Sequence, residues 1–265
     1  MGPLSIDLHV ALVGLVVGTL VGLSGVGGGS LVTPLLVLVL RVNPAVAVGT
    51  DLLYSVPTKI LGALVHHRQG TVDWRLVRYL VSGGVPAAVA GLSVLAVLQD
   101  HLGMTKVNVA LRHGLGVMLL LVSVAIVLKP LMSRWARAQD ATSAITWTRG
   151  AAARVITLGA VVGFLVSLTS IGSGSLTVPL LFFLLPRLDL RYLVGSDVAF
   201  AAILIPVAAA GHLQMGHVDL GLAASLLCGS LPGVVVGSKL CARVPDMWFR
   251  PALAGALLFA GTRLI

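Results

Sequence analysis

Two stretches of this chain carry no Asp, Glu, Lys or Arg: residues 8–40, between Asp7 and Arg41, and residues 155–186, between Arg154 and Arg187. A helix crosses the hydrocarbon core of a bilayer in ~20 residues. Each stretch is therefore too long for one crossing and short for two. Each is also interrupted near its middle by poor helix formers. GLSGVGGGSLVTP, Gly22 to Pro34, holds five glycines and two serines, and SLTSIGSGSLTVP, Ser167 to Pro179, has the same shape. Backbone freed by such a break must be covered by protein or face a water-filled cavity, because an unpaired amide against lipid costs several kcal/mol.

The rest of the chain is equally apolar. It is 57% hydrophobic and 10% charged, with mean hydropathy +1.04, whereas a soluble domain carries roughly 25% charged residues. These values identify an all-α integral membrane protein. The eighteen Lys+Arg against nine Asp+Glu fall mostly in short connectors, where they set orientation. No basic patch with interleaved aromatics is present, so nucleic acid is not a partner. Cys228 and Cys241 have no CxxC spacing, so neither a metal nor a disulfide is indicated. The N-terminal MGPLSIDLHV lacks a basic region and does not read as a cleaved signal peptide.

Apolar runs at about 8–40, 44–65, 76–98 and 107–128 are followed by a basic linker, Lys129 to Arg149. Further runs lie at about 151–186, 192–211, 219–242 and 249–265, which predicts 8–10 helical segments. The two sets repeat each other. Gly27, Gly29 and Pro34 match Gly172, Gly174 and Pro179, 145 residues on; Gly49, Asp51, His66, Gly70 and Asp73 match Gly195, Asp197, His212, Gly216 and Asp219, 146 residues on. The organisation is a first transmembrane repeat over 1–128, a cytoplasmic linker over 129–150 and a second repeat over 151–265.

Orientation follows from the basic residues. The connector near 66–78 holds Arg68, Arg75 and Arg78, and its counterpart at 212–219 holds none. With the linker cytoplasmic, the basic connectors of both halves face one side only if the repeats are inverted. Inversion needs an odd number of crossings per repeat. Each long first run must then return to its starting side as a pair of short helices meeting at the Gly-rich turn. Parallel repeats with eight single crossings are the alternative.

Helix ends at a break expose free N–H groups and partial positive charge, and glycine permits close backbone approach. The two turns are thus candidate anion cradles: Ser24, Gly25, Gly27, Gly28, Gly29 and Ser30 in the first, Ser170, Gly172, Ser173, Gly174 and Ser175 in the second. Close helix packing is the competing reading. Lys59 lies within an apolar run and has no basic counterpart, since Ile205 occupies its place. It is a candidate substrate contact or a snorkelling lysine. Asp51 and Asp197, each in Gly-(Thr/Ser)-Asp, relay protons or cap helix N-termini. His66 and His212 are candidates for proton coupling or a structural role. His67 and His217 are expected to be solvated, and Trp74, Trp147 and Trp248 to anchor at the membrane interface. No HExxH, GxSxG or P-loop pattern occurs, so no enzyme, cofactor or metal site is expected.

The segments GLSGVGGGSLVTPLL, VGTDLLYSVPTKILGALVHHRQGTVDW, GSGSLTVPLLFF, VGSDVAF, GHLQMGHVD and GSLPGVVVGSKL resemble the TauE/SafE sulfite exporter family over about 8–265. The resemblance implies an integral membrane transporter, with no enzymatic activity, for a small sulfur-containing oxyanion: sulfite, thiosulfate or an organosulfonate. It implies that the turns Ser24–Ser30 and Ser170–Ser175 hold the anion between the repeats. The second turn departs from the first, with Ser170 and Ser173 where Gly25 and Gly28 stand. The expected partners are a small anion and the lipid bilayer, and the expected location is the cell inner membrane, multi-pass. An anion channel instead of a carrier, and homo-oligomerisation, are left open.

Overall fold

A computed structural model describes residues 7–24, 29–138, 147–241 and 246–265, with 24, 129–138, 238, 241 and 246–250 described as backbone only. These residues form nine α-helices and no β-strand among them: α1 (Leu8–Ser24), α2 (Gly29–Leu38), α3 (Pro44–Arg68), α4 (Trp74–Ala138), α5 (Arg149–Thr169), α6 (Thr177–Leu184), α7 (Leu190–Gln214), α8 (Leu220–Cys241) and α9 (Asp246–Leu264). Four of them are long and apolar enough to cross a membrane: α4 over Trp74–Leu128, α5, α7 and α8 over Leu220–Gly237. Large apolar side chains point outward along them, including Val97 at 52%, Val109 at 52% and Val161 at 50% exposure. That is the surface of an integral membrane protein, whose lipid-facing side is apolar.

The apolar span of α4 covers 55 residues, about 80 Å if straight and far more than one bilayer. It is two arms meeting at Gly103, whose φ of 76° and ψ of 158° are not helical. The arms fold back so that Leu95 and Leu98 pack with Val107 and Leu111. The second arm continues to Ala138, so the first part of the expected linker is helix rather than connector.

Helix starts follow local chemistry. Asp189 caps α7 by accepting from Arg191 N at 2.9 Å, and Thr148 caps α5. Asp73 and Asp219 do the same for α4 and α8, accepting from Leu76 N at 3.0 Å and Leu222 N at 2.9 Å. Gly70 and Gly216 precede them with φ of 67° and 73°, a left-handed turn that glycine adopts without strain.

The two halves exchange helices. A Cβ on Gly83 would strike the Ile156 carbonyl, and one on Gly229 would strike that of Ala11. Gly159 meets Leu80 as Gly14 meets Leu226, and Gly163 meets Gly84 as Gly18 meets Ser230. So α1 packs on α8 and α5 on the first arm of α4, backbone to backbone, and each pair runs parallel. Small residues permit that approach where lipid supplies no hydrophobic drive. The equivalent helices α3 and α7 pack on each other antiparallel: Gly49 abuts His217, Gly62 abuts Val198 and Gly195 abuts Thr71. The bonds are reciprocal too. Ser196 Oγ accepts from Asp73 N at 2.9 Å, and Thr50 Oγ1 accepts from Asp219 N at 3.1 Å. The second arm of α4 and α9 are also antiparallel, joined by Arg112 to the Arg263 carbonyl at 3.1 Å and Ser123 to the Ala254 carbonyl at 2.9 Å.

The interrupted runs are pairs of unequal helices rather than two short ones. Helix α5 has 21 residues and α6 has 8; α1 has 17 and α2 has 10. Arg149–Thr169 is long enough to cross alone, whereas eight residues rise only about 12 Å. Trp147, just before α5, stacks on Tyr79 near the start of α4, and Asp73 there bonds to Ser196 near the start of α7. Since α6 leads directly into α7, the second run begins and ends at the same end of α7.

Candidate functional site

The break between α5 and α6 is well defined. Ser170 has φ 58°, Gly172 148° and Gly174 83°, so two glycines and one serine take backbone angles that most residues avoid. Gly172 O accepts from Leu176 N and Thr177 N, both at 3.1 Å, and from Thr177 Oγ1 at 3.0 Å. The amides of Gly172, Ser173 and Ser175 have no acceptor among the described residues. Ser170 and Ser175 are buried. In the first break, Gly25, Gly27 and Gly28 lie outside the described residues, as does the side chain of Ser24. Gly29, which opens α2, sits directly on the Ser170 carbonyl, so the start of α2 touches the second break. Ser30 beside it is buried.

Two carboxylates and one lysine lie alongside. Asp51 and Asp197 are both fully buried, inside α3 and α7. They do not cap those helices: Asn43 and Asp189 hold the N-cap positions. Gly-(Thr/Ser)-Asp therefore starts about two turns into a helix, not at its beginning. Thr33 Oγ1 donates to Asp51 Oδ2 at 2.5 Å, and the Ser170 and Ser55 hydroxyls are close by. Among the described residues, Asp51 Oδ1 has no hydrogen-bond partner, nor has either oxygen of Asp197. The groups nearest Asp197 are the Thr177 hydroxyl and the Gly174 amide. Half-buried Lys59 is electrostatically coupled to both carboxylates, more strongly to Asp197 than to Asp51. Antiparallel packing of α3 on α7 explains this placement, because it puts the middle of α3 between the two aspartates.

Sequence reasoning missed Thr33 and Thr177, the hydroxyls that serve the two carboxylates. The signal was present: each break is followed by SLVTP or SLTVP, with a threonine one or two residues before a proline that opens the helix's hydrogen-bond ladder. The two matched histidines are elsewhere and differ from each other. His66 Nδ1 meets Thr71 Oγ1 at 2.9 Å at the end of α3. His212 is fully buried and its Nε2 meets the Ser167 carbonyl at 2.7 Å. His217 is buried at 3% exposure rather than solvated, because Gly49 lets α3 close over its backbone. Burial lowers its pKa below the usual histidine value. His67 is exposed and packs edge-on to Trp74. Trp74 is 47% exposed, Trp147 is partly covered by Tyr79 and Arg75, and the side chain of Trp248 lies outside the described residues.

The family model of the sulfite exporter TauE/SafE matches residues 10–264. The chain is 38% identical to the probable membrane transporter protein YjnA of Bacillus subtilis, over 98% of this chain and 100% of that protein. It is 28% identical to the probable membrane transporter protein YdhB of the same organism, over 94% and 98% of the two chains. A probable membrane transporter protein of Xylella fastidiosa is 26% identical over 86% of this chain and 82% of its own length. No solved structure matches. A match that runs from the first helix to the last, through both breaks and both buried aspartates, means that this chain belongs to the sulfite exporter TauE/SafE family.

Proposed function

We infer that this protein is a secondary transporter of the inner membrane for a small sulfur-containing oxyanion, sulfite, thiosulfate or an organosulfonate. The anion binds between the two helix breaks, and the halves, inverted with respect to each other, alternate access to it. One observation carries the reading: three amides of the second break, at Gly172, Ser173 and Ser175, have no acceptor among the described residues, while Gly29 of the other half rests on Ser170 of that break. Unpaired amides on a glycine turn form a nest for an anion. Lys59 is the nearby positive charge, and Ser170 and Ser175 add hydroxyl donors. The antiparallel packing of the equivalent helices α3 and α7 supports inversion, since a two-fold axis that reverses a helix lies across it. The names of the relatives support transport in general and leave the anion to chemistry.

A thermal-shift screen of the purified protein against sulfite, thiosulfate, sulfate, sulfoacetate and taurine tests the reading. A ligand at 100 times its Kd stabilises by about 2.7 kcal/mol, so a true substrate raises Tm where chloride does not. The same anion should then move across proteoliposomes. No shift and no flux with any of the five would overturn the assignment.

A further inference from the structure

Asp197 is fully buried, neither of its oxygens has a partner within hydrogen-bond distance among the described residues, and the groups nearest it are the Thr177 hydroxyl and the Gly174 amide of the break. A carboxylate so placed has two stable conditions: paired with a positive charge or carrying a proton. The charges that face it are few. From α3 comes Lys59, which is also coupled to Asp51, and Tyr54 is coupled to Asp51 in turn. Helix α6 brings Thr177 and the break brings Gly174, neither of which titrates. Lys59 is therefore its counter-charge among the described residues. Asp51 differs, because it already has the Thr33 hydroxyl and feels Lys59 less than Asp197 does.

An anion entering the site competes for the same lysine. If Lys59 turns to the anion while Asp197 stays ionised, two negative charges share one positive charge away from water, which is strongly unfavourable. We propose that Asp197 is the proton-coupling group of this transporter: the anion takes Lys59 from Asp197, and Asp197 binds one proton from solvent in exchange. This rests on the functional reading above. For a monoanion the charge balances, since Lys59 and Asp197, which are coupled and opposite in charge, become a Lys59–monoanion pair and a neutral carboxylic acid. A metal cation fits the place poorly, because Lys59 would repel it and few further oxygens are at hand.

The test is isothermal titration of the full-length protein with methanesulfonate and with ethanesulfonate, monoanions whose own charge does not change from about pH 5.5 to about pH 8.5. Running each titration in two buffers of different ionisation enthalpy counts the protons taken up. The wild type takes up about one proton per anion on the alkaline side, and its affinity there falls about tenfold per pH unit. Asp197→Asn binds without proton uptake and without that slope, whereas Asp51→Asn still takes up a proton. Binding by the wild type with no proton uptake, sodium-dependent binding, or loss of the uptake in Asp51→Asn alone would each overturn the proposal while leaving the transporter reading intact. If neither anion binds the wild type and the thermal-shift screen is also blank, the functional reading fails and takes this one with it. The wild-type proton count needs no variant to fold.

Discussion

Lys59 is the residue on which the electrostatics of this protein turn. It is eight residues from Asp51, about 12 Å along a regular helix, and it makes no hydrogen bond to either oxygen of Asp197. A charge held that loosely in an apolar run is available to a ligand. Lys59→Met is expected to weaken anion binding more than tenfold, because a charge-assisted contact is worth about 1.5–3 kcal/mol. Lys59→Arg should retain part of the affinity, since charge is kept and geometry is not. Equilibrium binding of thiosulfate to both variants measures this, with Tm as the check on folding. Normal binding by Lys59→Met would make it a snorkelling residue and leave the site to the backbone amides. Lys59 was legible in the sequence because a charge in an apolar run with Ile205 in the matching place breaks the repeat. Its position between Asp51 and Asp197 was not, since that depends on how α3 meets α7.

The glycine-lined helix pairs decide whether the halves hold together. Where α5 meets the first arm of α4, a Cβ at Gly159 would land on the Leu80 carbonyl, and a Cβ at Gly163 on that of Gly84. Backbone cannot move aside as a side chain can, so the helices must separate. Gly159→Ala is expected to destabilise by about 3 kcal/mol, on the order of 5–10 °C in Tm. Gly255→Ala is the control, because nothing lies within 4 Å of the added carbon there, and it should match or slightly exceed the wild type. Thermal unfolding in detergent compares the two. Equal Tm values would mean that these crossings are looser than the contacts indicate. The sequence showed glycines recurring at one offset but not their partners. The matched aspartates illustrate the same limit: Asp73 and Asp219 cap helices, while Asp51 and Asp197 are buried mid-helix, and only the fold separates these roles.

Across the whole molecule each half sends its first helix to the other, α1 to α8 and α5 to the first arm of α4. If α3 and α7 both cross the bilayer, their antiparallel packing puts equivalent ends on opposite sides. Arg68 and Gln214 occupy matching places at those ends, and both are exposed. Cysteines introduced singly at these positions, in a background lacking Cys228 and Cys241, should label from opposite faces of the membrane, Arg68→Cys from the cytoplasm. Labelling of both from one face would rule out inverted repeats and restore the parallel arrangement.

The sequence by itself determined the membrane class and the position of the helix breaks, and it shows two sets of residues matched at one offset. Each of these follows from local facts: the density of charged residues, a constant offset, and glycine where helix cannot continue. It also pointed to Lys59 and to the two aspartates as residues out of place in an apolar chain. Tertiary structure alone decided that α5 is a full-length helix followed by a short α6, that Gly29 rests on Ser170, and that Thr33 donates to Asp51 while Asp197 lies beside Thr177 and Gly174. Those are contacts between residues far apart in the chain. They depend on which backbones approach and in which direction, and small residues that permit approach do not by themselves name a partner.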